Sequence, residues 1–174
     1  MKKILTIALA LVSLAFISCQ KDPIGGTATQ EVSGQWYVQA DGVDASGNLP
    51  ADEYADVYGI GNFLVLTYNT SANTENEIFV DDLGNFWDFK LKVACNLAAK
   101  TFGNSGEVPN LNYDCNVWVR NGKIVPNGTK TPSGMPADYI EFEVGFDDDE
   151  DAAELGFDHY KIHGFRYTGF VADE

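Results

Sequence analysis

The sequence is poor in positive charge. Its 174 residues hold 11 Lys and Arg against 26 Asp and Glu, a formal charge of −15. A surface of this sign repels nucleic acid and anionic head groups, which argues against both as partners. Histidine occurs only as His159 and His163, and cysteine only as Cys19, Cys95 and Cys115. No CxxC or Cys/His spacing exists, so the sequence calls for no metal and no cofactor. GxSxG is also absent, and the serines beyond Cys19 (Ser33, Ser46, Ser71, Ser105 and Ser133) lie in polar segments. A nucleophile needs a base, and the two histidines stand four apart on one strand face, about 13 Å from each other. That face is opposite Tyr160, Ile162 and Arg166, so both histidines read as surface or rim residues. No catalytic residue is assigned, and the chain reads as a binder more than an enzyme, with the enzyme reading left open. Helical spacing is missing too. No stretch of ten residues shows it, and Asp149–Leu155 makes one turn at most.

What is present begins with an export signal. Lys2 and Lys3 precede an apolar run, Ile4–Ile17, broken only by Thr6 and Ser13 and too short to span a bilayer. Phe16-Ile17-Ser18-Cys19 resembles a bacterial lipobox, with Phe16 in the place usually held by Leu. The resemblance implies cleavage before Cys19 and acylation of that residue. The expected divisions are a signal peptide over 1–18, a lipid-anchored tether over 19–31 and a folded domain over 32–174. Gln20–Gln30 is polar, rich in Gly and Thr and without periodicity, as a tether should be. The expected location is the cell envelope, at the outer membrane. Without Lys2 and Lys3 the balance is 9 basic against 26 acidic residues, or −17.

The domain reads as strands throughout. Ser33–Ala40 opens it, with Trp36 and Val38 on one face. Tyr58–Thr70 follows a long polar loop, and Asn76–Val80 makes a third, short strand. Asp81–Asn85 is a hairpin loop with Gly84 where positive φ is needed. Beyond it, Trp87, Phe89, Leu91, Val93 and Cys95 alternate with Asp88, Lys90, Lys92 and Asn96. Thr101–Gly103 is a short candidate, and Tyr113–Arg120 sets Cys115, Val117 and Val119 on one face. Asn121-Gly122 signals a type I′ turn, after which Lys123–Pro126 is predicted to double back. Asp138–Phe146 and Tyr160–Phe170 complete the set. Asp147–Asp151 is a run of acids without the calcium-loop spacing, and reads as a solvated loop tip. A strand so near the C-terminus must pair with the first one. The expected fold is all-β: an antiparallel up-and-down β-barrel of about eight strands, wide enough for packed side chains or one small ligand.

Cys95 and Cys115 both fall on inferred core faces. An oxidising envelope permits a disulfide between them, and the spacing leaves a bridge and two free thiols both open.

Two resemblances sharpen this reading. Gly34-x-Trp36 with Arg166 resembles the calycin (lipocalin-like) arrangement, in which an arginine of the last strand lies across the first-strand tryptophan and closes the barrel. The succession GQWYV, LTYNTSAN, NFWDFKLKV, NGKI, DYIEFEV and HGFRYTGF is similar to a family of lipoproteins from Gram-negative gut bacteria, the "lipid-binding putative hydrolases". That resemblance implies a calycin-like barrel that holds a lipid. It carries no catalytic motif onto any position here. The functional expectation is a membrane-anchored, non-catalytic binding module for a lipid or other small apolar ligand. The alternatives are an accessory component of an outer-membrane complex, acting through the outward aromatics Tyr37, Phe79, Trp118, Phe165 and Tyr167, and a hydrolase.

Overall fold

A computed structural model describes residues 25–174. The expected signal segment and Cys19 lie outside the described residues. Nine strands follow in order: β1 Gly34–Val43, β2 Phe63–Asn69, β3 Glu77–Asp81, β4 Lys90–Asn96, β5 Thr101–Gly103, β6 Val108–Pro109, β7 Asn116–Lys130, β8 Pro136–Phe146 and β9 His159–Arg166. One helix of five residues, α1, spans Asp151–Leu155. The sheet runs β5-β4-β3-β2-β1-β9-β8-β7-β6, and a further pairing of β5 with β7 closes it. Eight strands form the ring, all antiparallel, while the two-residue β6 lies outside it against the start of β7.

The first and last strands pair from Trp36↔Arg166 to Val43↔His159. Their inward residues, Trp36, Val38, Ala40, Tyr160 and Ile162, join Val65, Ile78, Leu91, Val93, Val119, Ile140 and Phe142 in one core with almost no exposure. The interior is filled by these side chains. Inward and outward residues alternate as the sequence pattern requires.

Two predicted details are corrected. Asn121-Gly122 does not reverse the chain, because β7 runs straight through it from Asn116 to Lys130. The pair forms a bulge instead, with the register against β8 shifting between Arg120 and Lys123. Asn121 takes the left-handed conformation at φ 53. A Cβ on Gly122 would come within 2.5 Å of Phe102, so the missing side chain is what lets β5 approach and close the ring. The second strand begins at Phe63, not Tyr58. Asp56 accepts the amides of Ile60 and Gly61, and this turn lifts Tyr58 out of the sheet and across the barrel end.

The alternation of strand directions sorts the connections onto two ends. Segment 25–33 and loops 70–76, 97–100, 131–135 and 167–174 share the end where β1 starts. Loops 44–62, 82–89, 104–115 and 147–158 share the other end, called the mouth.

Candidate functional site

At the end where β1 starts, the barrel is stoppered. The turn Gln30–Val32 pushes Val32 fully into the core. Trp36 donates its indole N–H to the Thr67 hydroxyl at 2.9 Å, and that hydroxyl donates to the Val32 carbonyl at 2.6 Å. The Arg166 guanidinium lies 4.4 Å from the centre of the Trp36 ring system. Its Nε donates to Asp138 at 3.0 Å and its Nη1 to the Ser33 carbonyl at 3.1 Å. Burial works against ionising Asp138. The Asn127 amide and Arg166 outweigh it, and its carboxyl stays below the usual range. Gly34 belongs to the same group: a Cβ there would stand 2.2 Å from Arg166 Nη1. The glycine of Gly34-x-Trp36 is thus the space the guanidinium occupies.

The mouth is closed by aromatic rings from loops. Phe86 stacks on Phe63 with centroids 5.6 Å apart, and Trp87 on Phe146 at 5.0 Å. Tyr58 and Tyr160 share a hydrogen bond of 2.6 Å between their hydroxyls. Burial raises the pKa of both phenols, that of Tyr160 well above its usual value. Tyr58, Phe86 and Trp87 are only partly buried against the core, and none belongs to a strand. Asp82 holds Phe86 and Trp87 in place. Its carboxylate accepts the amides of Gly84, Phe86 and Trp87 at 2.8–3.0 Å. Burial pushes the Asp82 pKa up, and the three amides pull against that rise.

The acid run serves local structure. Asp147 accepts the amide and side chain of Asn116, and Asp148 the Trp87 indole and the Tyr113 hydroxyl. Asp149 accepts the amides of Asp151 and Ala152 at the start of α1. Cys115, Asp147 and Asp148 bring donor atoms within 4.8 Å of one another, with both carboxylates exposed.

The histidines sit on the outer wall, but not as the sequence places them. His159 is buried, against the expectation of a surface residue. The Trp118 ring lies 5.0 Å from it, and its Nδ1 meets Asp158 at 2.9 Å. Its Nε2 lies 3.5 Å from Glu143, beyond good hydrogen-bond length. The loop after β1 folds over this strip, bringing Gly47 against Glu143, and no periodicity in the sequence announces that cover. His163 is half-exposed and meets Asp41 at 2.8 Å. Burial of Asp41 opposes its ionisation, yet His163, the Asp56 amide and Gln39 together hold its carboxyl below the usual range. A cavity of about 200 Å³ beside this pair is lined by Asp41, Tyr139, Lys161 and His163.

Cys95 and Cys115 are free thiols. Cys95 pairs with Phe102 across β4 and β5, and Phe102 with Gly122 across β5 and β7. Cys115 lies seven residues before Gly122, on the order of 20 Å along the barrel wall at the usual strand rise. A bridge needs Cα atoms within about 7 Å, so these two positions do not permit one.

The family model described as "lipid-binding putative hydrolase" matches residues 21–171. The chain belongs to this family. The match begins before the first described residue, runs through the whole barrel and ends in the last turn, Val171–Asp173. The family's description names a lipid. No curated protein matches the chain.

Proposed function

We propose that the protein is a lipid-anchored module of the cell envelope that binds one lipid, or another small apolar ligand, without acting on it. The family supports the lipid. The observation that carries the site is the placement of Phe86 and Trp87. They are partly buried apolar rings on a loop, over a core that is otherwise filled. A ligand in this reading takes the place of loop rings at the mouth and does not enter a deep lumen. Such sites combine apolar walls with a few fixed polar groups, here the Tyr58 and Tyr160 hydroxyls.

Titration of the full-length protein with a fluorescent long-chain fatty acid tests this. Binding is expected, and Trp87→Ala and Phe86→Ala are each expected to weaken it about tenfold, a loss of roughly 1.4 kcal/mol. Equal affinity in wild type and both variants would remove the mouth as the site. An ester analogue in the same assay addresses the hydrolase reading. Turnover lost in His163→Ala would favour it, through the half-exposed pair with Asp41. The accessory-component reading draws on the outward cluster in which Tyr37 lies 5.9 Å from both Phe165 and Tyr167.

A further inference from the structure

The outer surface is zoned along the barrel axis. The mouth loops carry fifteen carboxylates: four in 44–62, two in 82–89, two in 104–115 and seven in 147–158. The same loops contain no Lys, Arg or His. The opposite end, over 25–33, 70–76, 97–100, 131–135 and 167–174, holds four carboxylates and Lys100. Of those four, Glu31 pairs with Lys100 at 2.6 Å, Asp173 accepts from Ser133 and Thr168, and Glu174 accepts the Tyr167 hydroxyl. Only Glu75 has no such partner among the described residues. The charge of the domain therefore sits almost wholly at the mouth.

The three most exposed large apolar side chains also lie at the end away from the mouth. Phe170 and Val171 are 70% and 85% exposed, and Met135 is 63% exposed. The bond from the Ser133 amide to Asp173 ties loop 131–135 to the turn Val171–Asp173, so the three belong to one tip. Above that tip, outward positions on five consecutive strands are aromatic: Tyr139 on β8, Phe165 on β9, Tyr37 on β1, Tyr68 on β2 and Phe79 on β3. Tyr37↔Phe165, Tyr139↔Phe165 and Tyr68↔Phe79 are direct cross-strand partners. Toward the mouth, the same wall turns to Asp41, Asp81, Glu141, Glu143 and Lys161. The first described residues lie at the tip end as well, where the Ala28 amide donates to Asn73.

We propose that this end of the barrel docks on the lipid bilayer, with Phe170, Val171 and Met135 in contact with lipid and the tyrosines at headgroup level. The proposal rests on the anchoring at Cys19 stated above. Five residues lie between Cys19 and Gly25, and the six steps that join them reach at most about 22 Å when fully extended. An acylated Cys19 thus keeps this end beside the membrane whatever the tether does. Apolar tips and interfacial tyrosines gain from that position. The fifteen mouth carboxylates are repelled by anionic headgroups and point the mouth outward, open to a ligand or partner. The mouth loops expose apolar groups too, Leu49, Ile60, Leu83, Leu111, Tyr113 and Leu155, each less exposed than the three at the tip and standing among those carboxylates, so they are the wrong face for a membrane.

The test uses acylated full-length protein in phosphatidylethanolamine–phosphatidylglycerol vesicles. Phe170 is replaced by benzoylphenylalanine in one sample and Leu111 in another, both at exposed sites that the core does not need. Flotation with the vesicles reports the anchor, and photo-crosslinking to phospholipid reports the face. Flotation of both, with severalfold more lipid adduct from position 170 than from 111, is expected. Flotation with equal adducts, or more from 111, overturns the docking while leaving the anchor intact. Failure to float overturns the anchor, and the docking falls with it.

Discussion

Gly34, Trp36 and Arg166 share one small volume, so their substitutions should not be independent. Arg166→Ala removes a guanidinium from an indole face, worth roughly 1–2 kcal/mol when desolvated, and leaves the Ser33 carbonyl and Asp138 without their donor. A loss of about 1–3 kcal/mol is expected in urea denaturation, and a change within about 0.5 kcal/mol would show that the contact is ornamental. Gly34→Ala puts a Cβ where Arg166 Nη1 stands, so it should displace the same contact. The two changes together should then cost clearly less than the sum of each alone. Additive costs would place the strain of Gly34→Ala elsewhere. The thiols give a simpler residue-scale expectation: Cys95 and Cys115 should both alkylate after unfolding without reductant, read as intact mass.

At the scale of elements, the loop 82–89 depends on one carboxylate. Three amides converge on Asp82, and the rings of Phe86 and Trp87 follow from where those amides lie. Asp82→Ala should cost about 1–3 kcal/mol and should weaken lipid binding along with it, because buried donors lose their acceptor. Stability lost with binding unchanged would separate the loop from the ligand. The strands were legible because alternation survives burial on one face: Phe89, Leu91 and Val93 against Lys90 and Lys92 mark β4 unaided. The partnership of first and last strands followed from the need to leave no edge exposed. Turns were less legible. Asn121-Gly122 has the composition of a hairpin, and only the approach of Phe102 from a distant strand makes it a bulge. The cover over His159 was invisible for a related reason, since loop 44–62 carries no periodic signal. Likewise the Asp82 cage resembles any acidic turn until the chain has folded around it.

At the scale of the whole molecule, the two ends should respond differently to acid. Asp138 and Asp173 hold the stoppered end together, the first through Arg166 and the second by fastening the C-terminal turn to Ser133 and Thr168. Both carboxyls are lowered in the folded chain, Asp173 down to about 2 by the Ser133 and Thr168 hydrogen bonds. A group whose pKa is depressed by folding stabilises the fold fully above its unfolded value, near 4. That contribution disappears as pH falls through the folded value. Stability supplied by these two residues should therefore be intact at pH 5 and above and decline from about pH 4 toward about pH 2. The stoppered end should loosen first, since both residues act there. Trp36 reports it, because its burial depends on the Val32 plug and Arg166. Amide exchange on acidification should speed up at Val32, Trp36 and Thr67 before Phe86 and Trp87. The reverse order would show that the mouth, with its fifteen carboxylates, is the acid-sensitive end, and that the stopper does not depend on Asp138 or Asp173.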